Sequence, residues 1–220
     1  MRASSAWLAT PLLSGLAAVM LFIFFLHLGG EIGEGETSAF DSSVLHAAQA
    51  LRGAHPWVTV VMRDLSGIGS TVSLALLCFG ACGYLLLSRA RRTAALVMLS
   101  VASAVVATEL FKALFGRTRP PPAYAEFAAT GLSFPSGHTS MSAVVFMTLG
   151  LLVARTRERR AERVYIVAVA ALVAVLVGIS RAMLGVHWGT DVIGGWAFGG
   201  AWATAWLLAA KHFDAGGSRK

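Results

Sequence analysis

Six stretches of this 220-residue sequence, at about residues 6–28, 68–87, 93–115, 135–154, 164–185 and 189–210, are long, apolar and carry at most two charged residues each. About 20 such residues make an α-helix long enough to cross the hydrocarbon layer of a bilayer. A helix also satisfies its own backbone hydrogen bonds where no water can. The pattern therefore predicts an all-α polytopic membrane protein built as a six-transmembrane-helix bundle. Composition agrees, because only 13% of residues are charged and 56% are hydrophobic, about half the charge of a soluble domain. The first run, from Trp7 to about Leu28, exceeds the roughly 7 to 15 residues of a signal-peptide core and is read as a membrane anchor. No repeat or linker interrupts the chain, which reads as one domain over residues 1–220.

The formal net charge of +7 does not indicate a nucleic-acid partner, because the basic residues sit in short clusters between apolar runs rather than on one polar face. Twelve of the 18 Lys and Arg residues fall on one side of a six-span threading: Arg2; Arg89, Arg91 and Arg92; Arg155, Arg157, Arg159, Arg160 and Arg163; Lys211, Arg219 and Lys220. Cytoplasmic flanks are enriched in such residues, so both termini are expected in the cytoplasm of a plasma (inner) membrane protein. The other six, Arg52, Arg63, Lys112, Arg117, Arg119 and Arg181, then lie at the periplasmic or exterior surface against the trend and call for a specific reason. Cys78 and Cys82, one helical turn apart in an apolar run, read as packing residues. The long connection at residues 29–67 opens with an acidic, glycine-rich stretch, Glu31 to Glu36, expected to be irregular. Val44, Leu45, Ala48 and Leu51 behind a capping Asp41 then predict a short external amphipathic helix, a structural cover over the span ends or a lid that admits substrate.

Three polar clusters break the apolar pattern, each at an external span end. In the first, Gly116 and Pro120 end a helix, leaving Lys112 on its last turns and Arg119 on the following loop. The second, Pro135-Ser136-Gly137-His138, opens a helix whose N-terminal N–H groups and dipole favour an anion; His138 can exchange a proton near neutral pH. In the third, Ser180-Arg181 precedes His187 and Asp191, one helical turn apart, where the carboxylate can hold one imidazole nitrogen and leave the other as nucleophile or base. Snorkelling bases, a helix cap and a structural His–Asp pair are the bland alternatives. Together the clusters supply cations, backbone donors, two histidines and a carboxylate, an inventory suited to metal-free phosphoryl transfer. Two-metal chemistry needs several carboxylates, and besides Asp191 only Glu109 and Glu126 lie near; Glu109 is expected to pair with Lys112.

Lys112-x6-Arg119-Pro120, Pro135-Ser136-Gly137-His138 and Ser180-Arg181-x5-His187-x3-Asp191 resemble the three signature motifs of the type 2 phosphatidic acid phosphatase superfamily, in order and without departure, over about residues 60–210. The resemblance implies a membrane lipid phosphatase with an external site and no cofactor or metal. It implies catalytic roles for His187 as nucleophile forming a phosphohistidine, for Asp191 as its orienting group, and for His138 as acid and then base. Lys112, Arg119, Ser136, Gly137 and Arg181 would bind the phosphate oxygens. The implied partner is a lipid phosphate: undecaprenyl pyrophosphate, phosphatidylglycerophosphate or phosphatidic acid, with a lipid A phosphate or a phosphotransfer reaction as alternatives. A vanadate-dependent haloperoxidase is disfavoured by the spans. A small transporter or channel would need ionisable groups at mid-membrane depth, whereas nearly all lie at span ends. Gly195 and Gly199 form a small-residue face that serves packing more often than association, leaving the oligomeric state open.

Overall fold

The computed structural model describes the backbone of residues 4–217 and the side chains of residues 12–210. Arg2, Arg219 and Lys220, used above for the orientation, lie outside the described residues. The described residues form eight α-helices: α1 Ser4–Glu34, α2 Ser38–Ala54, α3 Pro56–Ile68, α4 Thr71–Leu87, α5 Arg91–Phe115, α6 Gly137–Arg155, α7 Arg160–Met183 and α8 Gly189–Gly217. Six spans are long and apolar enough to cross a membrane, at Leu12–Glu34, Pro56–Leu87, Arg91–Phe115, Gly137–Arg155, Arg160–Met183 and Gly189–Ala210. The outer faces carry exposed side chains such as Phe79, Leu87, Leu110 and Tyr165, an apolar surface of the kind that a membrane covers.

Three expectations for the first connection are corrected. The second span begins at Pro56 rather than near residue 68, because α3 continues into α4 through a short break at Gly69 and Ser70, where the Ser70 hydroxyl accepts from the Ser73 N–H. The acidic stretch is not irregular up to its end: α1 runs through Glu34 and only residues 35–37 turn. Asp41 is not a cap either. It lies inside the first turn of α2, whose N-cap is Thr37, and is buried with Leu45, Ala48 and Arg52 on one stripe. The amphipathic helix itself is present as the spacing predicts.

Helices α6, α7 and α8 form the centre, α1 lies along α8, α4 along α5, and α3 against α7. Small residues set the closest approach: a Cβ on Gly199 would sit 2.5 Å from the Ala143 Cβ and 2.7 Å from the Ser140 carbonyl oxygen, and one on Gly195 2.9 Å from the Thr139 Cβ. The Gly195/Gly199 face therefore packs against α6. Trp196 lies over Gly178 of α7 and donates from its indole N–H to the Ala174 carbonyl at 3.1 Å. Between α1, α5 and α8, Phe25 of α1 is enclosed by Phe111, Phe115, Phe134 and Phe198. The Phe134 ring stacks on Phe25 at 5.4 Å between centroids and meets Phe115 edge-on at 5.1 Å. Ring pairs of this geometry add to their area burial, so the turn just before α6 rests on an aromatic support.

Candidate active site

Four helix ends converge: the C-terminus of α5, the N-terminus of α6, the C-terminus of α7 and the N-terminus of α8. Helix α5 stops because Gly116 adopts the left-handed conformation, φ 61°, with its N–H bonded to the Lys112 carbonyl, a glycine stop that frees the next residues to turn back. Lys112 thus stays on the helix and Arg119 is carried by the loop, as the sequence predicts. Lys112, Arg119, Gly137, His138, Arg181 and His187 all line one cavity of about 520 Å³. Away from the polar end the cavity is walled by apolar side chains of α4, α5 and α6, among them Leu74, Cys78, Val101, Val105 and Val145.

His187 is buried in the turn between α7 and α8. Its Nδ1 lies 3.2 Å from Asp191 Oδ2 and its Nε2 lies 3.1 Å from Arg119 Nη1. A guanidinium only donates, so Nε2 is the acceptor and Nδ1 carries the proton given to Asp191. Nε2 keeps the lone pair, which accepts from Arg119, and is the ring atom beside the cationic groups. Burial pushes the His187 imidazole down to about 4, the hydrogen bond and charge of Asp191 opposing, so the ring is neutral at physiological pH. Burial also lowers Arg119, with Asp191 again opposing.

Arg119 is anchored by donating to the Val186 carbonyl at 2.8 Å and to the Thr130 and Gly131 carbonyls at 3.1 Å. Arg181 donates to Ser66 Oγ at 2.6 Å and its guanidinium sits 5.4 Å from the centre of the Phe127 ring. Its Nε is buried and makes no hydrogen bond, a donor in the cavity wall that an anion would satisfy. Lys112 Nζ pairs with Glu109 Oε1 at 2.8 Å, the predicted pair. Ser136 is the N-cap of α6, and its hydroxyl accepts from Thr139 Oγ1 at 3.0 Å. The first N–H groups of α6 lack intrahelical acceptors, as in any helix, and open beside Lys112, whose Nζ would lie 3.5 Å from a Cβ on Gly137.

Several residues that the motifs do not include complete the site. Asp191 Oδ2 also accepts from the Ser133 hydroxyl and from the Trp188 N–H at 2.9 Å, so it caps α8 and holds the histidine at once. Its Oδ1 accepts from Arg117 Nη1 at 2.6 Å. Arg117 in turn pairs with Asp41 of α2 and lies 5.5 Å from the centre of the Trp188 ring. Trp188 donates from its indole N–H to the Thr118 carbonyl at 2.9 Å. Glu126 takes no place with Asp191; it pairs with Arg52 at 2.9 Å and Arg63 at 3.4 Å. Among the described residues no three His, Cys, Asp or Glu side chains come together as a set able to hold a metal ion.

Residues 93–214 match the model of the PAP2 superfamily. The chain is 31% identical over 188 residues to phosphatidylglycerophosphatase B of Bacillus subtilis (strain 168), covering 82% of this chain and 88% of that one. It is 33% identical over 159 residues to the lipid A 1-phosphatase of Rhizobium etli (strain ATCC 51251), covering 62% and 64%. The crystal structure of the transmembrane PAP2-type phosphatidylglycerolphosphate phosphatase from Bacillus subtilis superposes with a TM-score of 0.79 at 29% identity, covering 90% of this chain and 95% of that one. The converged motifs thus coincide with a family match over more than half of the chain and a relative that shares its fold almost end to end: the chain belongs to the PAP2 superfamily and is a membrane phosphatase.

Proposed function

We propose that the protein hydrolyses a lipid phosphate at the outer leaflet through a phosphohistidine on His187. The observation that carries this reading is the imidazole whose Nδ1–H is held by Asp191 while Nε2 is left as the acceptor among Arg119, Arg181, Lys112 and His138. Phosphate oxygens compete for Arg119, Lys112 and Arg181, helped by Ser136 and the Gly137 N–H, so the cations that now face Nε2 and Glu109 become its anchors. Nε2 attacks phosphorus, the P–O bond to the lipid breaks, and His138 protonates the departing alkoxide. His138 then takes a proton from water, the hydroxide attacks phosphorus, the P–N bond breaks, and inorganic phosphate leaves. Asp191 stabilises the cationic imidazole formed between the two steps.

The apolar arm of the cavity, between α4, α5 and α6, suits an acyl or prenyl chain attached to that phosphate. The outer-leaflet assignment rests on the connections rich in arginine, Arg89 to Arg92 and Arg155 to Arg163, which join the opposite ends of the helices that bear the site. Phosphatidylglycerophosphate, phosphatidic acid and undecaprenyl pyrophosphate are the substrates favoured, with lipid A phosphate as the alternative. The test is phosphate release by purified wild type and His187→Ala in the presence of a chelator, across these four lipids. Release by the wild type alone, unaffected by the chelator, is expected, and the best substrate names the specificity. Equal release by the alanine variant, or abolition by the chelator, would overturn the mechanism.

A further inference from the structure

Asp41 is 1% exposed on the inner stripe of α2, a helix that contributes none of the motif residues. Burying a carboxylate is costly unless every oxygen is answered. Here Oδ1 accepts from the Thr190 N–H at 2.9 Å. The Thr190 hydroxyl lies 3.0 Å from Oδ1 and 2.8 Å from Oδ2. Oδ2 also accepts from Thr37 Oγ1 at 3.3 Å and pairs with Arg117 Nη2. The other guanidinium nitrogen of Arg117 donates to Thr190 Oγ1 at 2.7 Å and to Asp191 Oδ1 at 2.6 Å. Two buried carboxylates therefore share one guanidinium, and the second carboxylate holds His187.

We propose that Asp41 is a positioning residue for phosphoryl transfer, acting through Arg117 and Thr190 on Asp191 and so on His187. The proposal rests on the assignment of His187 as nucleophile and Asp191 as its orienting carboxylate. Two physical effects follow from the contacts. Without Asp41, Arg117 would be a full counter-charge to Asp191 and would drain the negative potential that a cationic phosphohistidine needs; with it, the trio keeps one net negative charge beside the ring. The bonds to Thr190, the residue before Asp191, also fix the first turn of α8 from outside. Gly189 leaves room for this approach, since a Cβ there would lie 2.9 Å from the Phe40 ring and 3.5 Å from Asp41 Oδ1. At the far end of the same stripe, Arg52 donates to the Tyr124 carbonyl at 2.7 Å and to that of Met183, so α2 is tied down at both ends and acts as a fixture rather than a lid.

The experiment uses the full chain in detergent with the lipid phosphate that the wild type hydrolyses fastest, and compares wild type, His187→Ala, Asp41→Asn, Asp191→Asn and the Asp41→Asn/Asp191→Asn double variant. Asp41→Asn is expected to lower kcat by about 10- to 100-fold, the size seen when a group behind a functional ligand is removed, with KM changed by less than about threefold. In the Asp191→Asn background it is expected to have no further effect beyond about twofold, because both act on the same imidazole. A kcat for Asp41→Asn within about twofold of wild type, or a double variant that falls by the product of the single effects, would overturn the proposal. If His187→Ala is inactive in that same experiment, only the role of Asp41 falls; if His187→Ala is as active as wild type, the histidine mechanism falls with it. Should Asp41→Asn not elute as folded protein, Thr190→Val removes one arm of the link; a kcat loss of about 3- to 10-fold is expected, and an unchanged kcat would refute the link.

Discussion

Gly199 and Gly200 are neighbours on α8, yet a methyl group meets different surroundings at the two positions. At Gly199 it would stand 2.5 Å from the Ala143 Cβ, 2.7 Å from the Ser140 carbonyl oxygen and 3.3 Å from the Val144 N, none of them the movable end of a side chain. At Gly200 it would find only the Leu21 Cδ1 at 3.5 Å, an ordinary contact. Both changes to alanine gain the same helix propensity, about 0.8 to 1 kcal/mol, so the difference between the variants isolates the clash. Contact between carbons needs about 3.5 to 4 Å, so α6 and α8 must separate by roughly 1 Å, an overpacking that costs about 1 to 3 kcal/mol. At about 2 to 4 °C per kcal/mol for a chain of this size, Gly199→Ala should melt roughly 2 to 12 °C below Gly200→Ala. Thermal unfolding of the purified protein in one detergent reads this directly. Because His138 stands at the head of α6 and Asp191 at the head of α8, the phosphatase activity of Gly199→Ala should fall as well. Equal melting temperatures for the two variants would refute the packing argument.

Three further outcomes are expected. The His187 imidazole, followed by NMR of labelled histidine as the resonance missing from His187→Ala, should titrate near 4; the unfolded chain takes that proton below about 6.5, so this residue makes the fold lose stability as pH falls from about 6.5 to 4, and a midpoint above 6 would contradict the burial. Gly185 has φ +70° and its Cβ would strike the Tyr124 carbonyl oxygen, so Gly185→Ala should cost at least the 1 to 3 kcal/mol of such backbone strain, seen as a lower melting temperature or loss of folded protein. Ser66→Ala removes the acceptor that holds Arg181 Nη1 and should raise KM several-fold with kcat little changed, a split that steady-state kinetics resolves.

What the sequence revealed of the site was what lies close in the chain or in a recognisable pattern. Lys112 and Arg119 around a glycine stop, the N-terminal turn of α6, and His187 four residues before Asp191 each follow from local rules, and all line or support one cavity. Arg117, Asp41, Ser133 and Ser66 were not legible in this way. Their partners in the site lie 58 to 149 residues away, and tertiary pairing at such separation leaves no periodicity. Asp41 carried a false signal, since an acidic residue ahead of an apolar helix stripe reads as a cap. The one hint was its register, for it shares that stripe with Leu45, Ala48 and Arg52. The extent of the second span was misread for a related reason: Arg63 and Asp64 lower the apolarity of α3, although Arg63 is answered by Glu126.

Phe25 sits in the first span and Phe134 immediately before the turn that opens α6, and the two rings are stacked. The bearing on which the chemistry turns is therefore supplied by a helix that contributes no reacting group. Substitutions deep in the first helix are expected to register in a functional screen as if they were active-site lesions, changing turnover before they change expression. A shortened chain beginning after that helix keeps every motif and loses the surface they are set against, so the smallest active unit is expected to be larger than the span of the motifs.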